Sequence, residues 1–402
     1  MVAKISQRAA RMPPSPIRKL APFAESAKRR GVHVYHLNIG QPDIETPAVM
    51  RDRLLGIKDR VLAYTPSGGT DKCIAAFEYY YRSIGITLRP GELLVTTGGS
   101  EACMFAFMAC ADPGDELLVV EPFYSNYSTF AALGDIRLAP VVSRGEDGFH
   151  LPPIETWHAA LTERTRAVVI CNPNNPTGTV YTRSELEMVA AFCRTHSLFL
   201  ICDEVYREFS YAGGEVHSAL MLPQAEPFVI VVDSVSKRYS ACGIRLGCLI
   251  TRNREIQAAC LRMAQGRLSA PGLAQVLAEG IEHLSPDFSS TMISEFERRR
   301  DVLYEGLCSI DGVFLRKPEG AFYLMPRLPV RDSEAFCQWM LSEFEYEGAT
   351  VMMAPAPGFY ATPGLGRNEV RIAYVLNEHD LRKSVEVLRH GLAAYASLDD
   401  KV

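Results

Sequence analysis

The sequence predicts an α/β protein in two parts: a large domain built on a mostly parallel sheet covered by helices, then a smaller α+β domain. Three observations predict this. Between about residues 67 and 250, six short apolar runs recur: Leu93–Thr97, Leu117–Val120, Ala167–Cys171, Leu198–Cys202, Phe228–Val232 and Gly247–Thr251. They lack polar alternation, as strands buried on both faces must. Segments of helical period, such as Arg183–His196, lie between them, which is the alternation of parallel strands joined by crossover helices. After Asp287 the character changes to charged helical stretches and shorter apolar runs.

Taken in order, residues 1–45 are too irregular to fold alone and are expected to pack on the small domain or on a partner subunit. The large domain is expected over residues 46–287 and the small one over 288–402. Within the small domain a charged helix is expected at Phe288–Ser309, followed by short strands near Val313–Leu315 and Ala321–Met325. A helix at Ser333–Glu345, a strand at Val370–Tyr374 and a final helix from Glu378 complete it.

The 402 residues suffice for two cores. A net charge of −5 argues against nucleic acid or an anionic membrane as a partner, so any anion must be held by a few placed cations and amides. The eleven cysteines are scattered, mostly in apolar runs, with no C-x-x-C pair. That pattern fits buried thiols in a reducing compartment and predicts neither disulfides nor a metal site. The basic N-terminus has no apolar segment of the secretory kind, and no run of about 18 apolar residues is present. The expected location is the cytoplasm.

Polar residues recur at the carboxyl ends of the apolar runs, the edge where open α/β sheets bind ligands. Thr96-Thr-Gly-Gly-Ser-Glu101 reads as a glycine turn into a helix whose amides at Gly99 and Ser100 can cradle an anion; a plain capped turn is the alternative. Cys171-Asn-Pro-Asn-Asn-Pro-Thr-Gly178 reads as a stiff turn that fixes Asn175. Asp203 ends a wholly apolar run. A carboxylate buried there needs a cation, and a protonated pyridine nitrogen is one candidate, with Tyr206 in reach; capping the next helix is the alternative. Lys237 follows Ser234 and Ser236 and precedes Arg245. A lysine near cations and out of water gives up its proton readily and forms imines, while the serines and the arginine suit a phosphate.

Asn-Pro-x-Asn-Pro-Thr-Gly, Asp-Glu-x-Tyr and Ser-x-Ser-Lys followed by Arg-x-Gly, in that order, resemble the class I/II aminotransferases of fold-type I, the aspartate aminotransferase branch. The likeness runs from Asn38-Ile-Gly-Gln-Pro-Asp43 to Val370-Arg-Ile-Ala373. It implies a seven-stranded sheet and pyridoxal 5′-phosphate bound as a Schiff base to Lys237, the acid/base of the proton shift. It implies further that Asp203 partners the pyridine nitrogen and that Tyr206 and Asn175 bond the ring oxygen. Gly99, Ser100, Glu101, Ser234, Ser236 and Arg245 would surround the phosphate, and Tyr124 would stack on the ring. Arg371 would clamp the substrate α-carboxylate beside Gly40. Tyr64 would reach the phosphate across a homodimer interface. The implied reaction is ping-pong transfer of an amino group from an L-amino acid, aspartate first, to a 2-keto acid, 2-oxoglutarate. Aromatic, alanine or methionine-type substrates, or a lyase or synthase step on the same scaffold, are the alternatives. A second carboxylate needs a cation, for which Arg267 is a candidate.

Overall fold

The computed structural model describes residues 3–399. In chain order its strands are β1 (His33–His36), β2 (Leu93–Thr96), β3 (Glu116–Glu121), β4 (Arg137–Val142), β5 (Thr165–Cys171), β6 (Phe199–Asp203), β7 (Val229–Ser234), β8 (Gly247–Thr251), β9 (Tyr323–Leu324), β10 (Ala349–Met352), β11 (Ala354–Pro355) and β12 (Val370–Ala373). Seven of them form one sheet in the order β2-β8-β7-β6-β5-β3-β4. Only β8 runs against its neighbours, pairing antiparallel with β2 and β7; β7, β6, β5, β3 and β4 are mutually parallel.

The six apolar runs are β2, β3, β5, β6, β7 and β8. Their lack of alternation has the expected cause. Val168 and Val169 of β5 face opposite sides of the sheet, and both are buried, as are Leu200 and Ile201 of β6. Separate apolar clusters cover the two faces. The seventh strand, β4, escapes sequence detection because it is an edge strand: Pro140 interrupts it and most of its side chains are half-exposed.

The second body surrounds another apolar cluster. Its helices span Phe288–Cys308, Ser333–Ser342 and Glu378–Asp399, with a three-stranded sheet β11-β12-β9. The strand expected near Val313–Leu315 reduces to a single bridge, Phe314 to Arg327. The segment Ala21–His36 joins this body: β1 pairs in parallel with β10, and the helix Ala21–Arg29 packs on Ser333–Ser342.

The two bodies meet at Gly178. Its carbonyl accepts from Glu319 N (2.9 Å) and Gly320 N (2.7 Å). A Cβ at Gly178 would lie 2.9 Å from Gly320 O, and its φ is +75°, so a side chain is excluded on both counts. Beside this contact, His150 Nδ1 lies 3.1 Å from Glu185 and Nε2 3.6 Å from Glu319. Hydrogen bonds to Glu185 and then Glu319 raise the imidazolium pKa to about 10, so a cation links the two bodies at neutral pH.

This linkage has a defined pH signature. The bonus is complete below the imidazole's ordinary value of 6.5 and drains away as pH climbs to about 10. His150→Gln is expected to lower the unfolding midpoint by about 1–3 °C at pH 6 to 7. The deficit should shrink steadily toward pH 10.5 in scanning calorimetry; a pH-independent deficit would exclude a charged contact.

Candidate active site

The carboxyl ends of β5, β6 and β7 and the turn after β2 face strand β12 of the small body across one cavity. It is lined by Gly40, Gly99, Ser100, Tyr124, Asn175, Asp203, Tyr206, Ser234, Ser236, Lys237, Arg245 and Arg371. Twelve of the fifteen residues singled out from the sequence are therefore brought together.

Its floor could hold an anion. The helix Gly98–Cys110 starts inside the glycine turn, leaving its first amides without intrahelical acceptors. Gly98 has φ +73°, and a Cβ there would sit 2.5 Å from Arg245 Nη2. Ser234 Oγ donates to Leu246 O at 2.9 Å and contacts Ser236 Oγ at 2.7 Å. Arg245 is in the left-handed region at φ +57°, a strained backbone of the kind that persists at functional sites. Among the described residues its side chain bonds only the carbonyl of Cys242, at 2.9 Å.

Asp203 is the last residue of β6, at its carboxyl end. Its Oδ2 accepts from Tyr127 Oη at 2.7 Å and its Oδ1 from Val205 N at 3.3 Å. Burial raises its pKa to about 6 against the pull of those two donors. Lys237 Nζ reaches into the same cavity, donating to Gly40 O at 2.7 Å and lying 3.7 Å from Cys242 Sγ.

Arg371 closes the cavity from β12. It is 1 % exposed. Nη1 donates to Asn175 Oδ1 at 3.1 Å and Nη2 to Asn38 O at 2.5 Å. The guanidinium lies 4.4 Å from the Tyr323 ring and 5.1 Å from that of Phe359. Nε has no partner, and no carboxylate pairs with it among the described residues. Asn175 Nδ2 donates in turn to Tyr206 Oη at 3.3 Å, which lies 2.9 Å from Tyr323 Oη.

Residues 32–388 match the family model for aminotransferase class I and II. The chain belongs to the class I and II aminotransferases. A probable aspartate/prephenate aminotransferase of Aquifex aeolicus is 31 % identical over 96 % of this chain and 98 % of its own length. The aspartate aminotransferase of Geobacillus stearothermophilus is 30 % identical over 98 % of this chain and all of its own, 100 %. Among solved structures, a mutant Thermus thermophilus aspartate aminotransferase superposes with TM-score 0.87 at 28 % identity, covering 97 % of this chain and 100 % of that one. Alanine aminotransferase from Pyrococcus furiosus gives TM-score 0.89 at 27 % identity, with the same coverage of 97 % and 100 %.

Three of the residues singled out from the sequence of this aminotransferase lie outside this cavity. Glu101 does not reach the cavity: it accepts from Thr97 N at 2.8 Å and pairs with Arg267 at 3.0 Å. Tyr64 is 81 % exposed and lines a second cleft with Glu101 and Arg267, so within one chain it does not meet Lys237. Arg267, a candidate for a second carboxylate, is occupied by Glu101, Ser67 O and Val95 O.

Sequence reasoning missed Tyr127, Tyr323, Asn38, Ile17 and Arg18. Tyr127 had only a weak signal: it follows Tyr124 by three residues, in the first turn of the helix Asn126–Leu133. Tyr323 had none: its tie to the site, a hydroxyl that a Cβ on Gly40 would collide with, is visible only in three dimensions.

The raised Asp203 pKa opposes folding in a definite window. Between about 3.8 and 6 the folded carboxyl keeps a proton that the unfolded one has lost, so stability falls as pH rises through it. Cofactor-free Asp203→Asn is expected to lack this decline. Parallel midpoint-against-pH curves for wild type and variant would contradict the assignment.

Proposed function

We propose that this aminotransferase carries pyridoxal 5′-phosphate on Lys237 and exchanges amino groups between aspartate and 2-oxoglutarate as a homodimer. The observation that carries the reading is Arg371, a buried cation with an unpaired Nε that lines the same cavity as Lys237. A buried charge without a counter-ion is costly, and a substrate carboxylate relieves that cost with two parallel hydrogen bonds.

The cavity fits the cofactor chemically. Gly99, Ser100, Ser234, Ser236 and Arg245 would hold the phosphate, Asp203 the ring nitrogen, Tyr206 and Asn175 the ring oxygen, and Tyr124 the ring face. The fit rests on Asp203, whose raised pKa marks an acid in need of a cation, and on Gly98, whose missing Cβ lets Arg245 approach. Once bound, the cofactor supplies an electron sink for negative charge at the substrate Cα. Arg371 orients the substrate by its α-carboxylate, a positional contribution. The Lys237 amine accepts and returns the Cα proton. Asp203 keeps a cation opposite it in low dielectric, where the pairing is stronger than in water.

Two further observations support the reading. Leu55, Val61, Leu62, Tyr64, Leu268 and Leu273 are all exposed apolar side chains, at 84, 76, 68, 81, 51 and 46 %. Such a surface is suited to a second copy, which would bring Tyr64 toward its partner's phosphate site. Aspartate is favoured by the likeness to the Aquifex aspartate/prephenate enzyme and the Geobacillus aspartate enzyme. The likeness to the Pyrococcus alanine enzyme favours a small neutral donor as the second reading.

Half-reactions with single amino acids test this. Aspartate is expected to convert the bound cofactor to its amine form with one equivalent of oxaloacetate; a faster, stoichiometric conversion by alanine would favour the second reading. In Lys237→Ala, borohydride should no longer fix the cofactor to the protein, and a label trapped on that variant would overturn the anchor. Arg371→Leu is expected to raise KM at least about tenfold for every amino acid alike, given charged hydrogen bonds of roughly 1.5–3 kcal/mol. An effect confined to acidic donors would make Arg371 a side-chain reader.

A further inference from the structure

Four cations line the cavity, Arg18, Lys237, Arg245 and Arg371, against a single carboxylate, Asp203. The reading above uses three of them: Arg245 for phosphate, Lys237 for covalent attachment and Arg371 for the α-carboxylate. Arg18 is left over. It is exposed, and its guanidinium has no hydrogen-bond or ion-pair partner among the described residues; its backbone N–H donates to Ser15 O at 3.2 Å and its carbonyl accepts from Ala21 N at 3.0 Å.

Arg18 is not on a loose end. Asn38 Nδ2 donates to Ile17 O at 2.8 Å, and the carbonyl of the same Asn38 accepts from Arg371. Pro16 lies against Gly358, where an added Cβ would come within 2.7 Å of it. Lys19 pairs with Glu334. The strap is thus fixed on both sides of residue 18, and one asparagine ties it to the α-carboxylate clamp. The other cation considered, Arg267, is already neutralised by Glu101 and lines a different cleft.

We propose that Arg18 reads the second carboxylate of an acidic substrate, in the same chain whose Arg371 takes the first. The proposal rests on the acidic-substrate reading. A monocarboxylic substrate leaves Arg18 facing the cavity with nothing to bind, whereas a dicarboxylic one offers an anion to each arginine. Because Arg18 belongs to the strap, an acidic substrate also draws the N-terminal segment onto the cavity mouth.

The test uses the cofactor-loaded enzyme with aspartate and alanine as donors, and calorimetric titration with succinate and butyrate, acids of equal carbon number. Arg18→Gln is expected to lower the aspartate-to-alanine ratio of kcat/KM by about tenfold or more, the lower end of a charge-assisted contact. Succinate should weaken by a similar factor relative to butyrate. Arg18→Lys should restore most of both ratios, which a merely structural arginine would not require. A wild type that prefers aspartate, with the ratio unchanged in Arg18→Gln, overturns Arg18's role and leaves the aspartate reading standing. Equal loss for both donors and both acids does the same, by making the strap contact structural. A wild type without preference for aspartate overturns the substrate reading and this proposal together.

Discussion

A buried guanidinium without a counter-ion organises this molecule. Arg371 sits on a strand of the small body, donates to an asparagine side chain in the large body and to a backbone carbonyl at the end of β1. Neutral oxygens and two aromatic faces solvate it, but they do not cancel its charge. In low dielectric such a charge is tolerated where every donor has an acceptor, and here Nε does not. The Asn-Pro turn, strand β12 and the chain around Asn38 must all be in place before the site exists. Recognition of an anion and assembly of the two bodies are therefore one structural problem.

The lysine is held by a comparable arrangement on its far side. Asp233 is fully buried and pairs with Arg238, next to Lys237. Its carboxylate also accepts from Tyr81 Oη at 2.7 Å and from Ser234 N at 2.6 Å. The Arg238 guanidinium in turn lies 3.9 Å from the Tyr80 ring. Removing one member of such a pair strands the other, so the short helix Val235–Arg238 has little freedom to re-aim. Asp203 and Asp233 end adjacent strands β6 and β7, yet only Asp233 has a cation of its own. That difference in partners makes one acid structural and leaves the other open to a ligand.

Much of this was legible because strand ends carry it. Asp203 follows an apolar run directly, and Asn175 and Lys237 lie four and five residues beyond theirs, so locating the strand located the side chain. Where the chain direction turns, legibility fell. Glu101 adjoins Ser100 in sequence, but one further residue of helix rotates its side chain by about 100°, away from the cavity and onto Arg267. The edge strand β4 lacked the apolar signature for want of a covered face. Tyr323 and Arg18 join the site through contacts spanning hundreds of positions or through an irregular strap, and no periodicity encodes either. Gly40 was picked out beside the substrate, but its reason, the Tyr323 hydroxyl pressed against it, needed three dimensions.

The irregular start of the chain shows how an uninformative sequence acquires a role. Residues 13–20 carry three prolines and no helical period, so nothing local fixes them. Their position comes from outside: a glycine that makes room for Pro16, an acid that pairs with Lys19 and an asparagine that holds the Ile17 carbonyl. Each anchor is modest, and the segment buries little of its own surface. A segment held this way follows the elements that hold it, because it has no core with which to resist them. Two of its three anchors, Gly358 and Glu334, belong to the small body, and the third is the residue whose carbonyl binds Arg371. Whatever shifts Arg371 against the large body must carry the strap with it, and the cavity mouth with the strap.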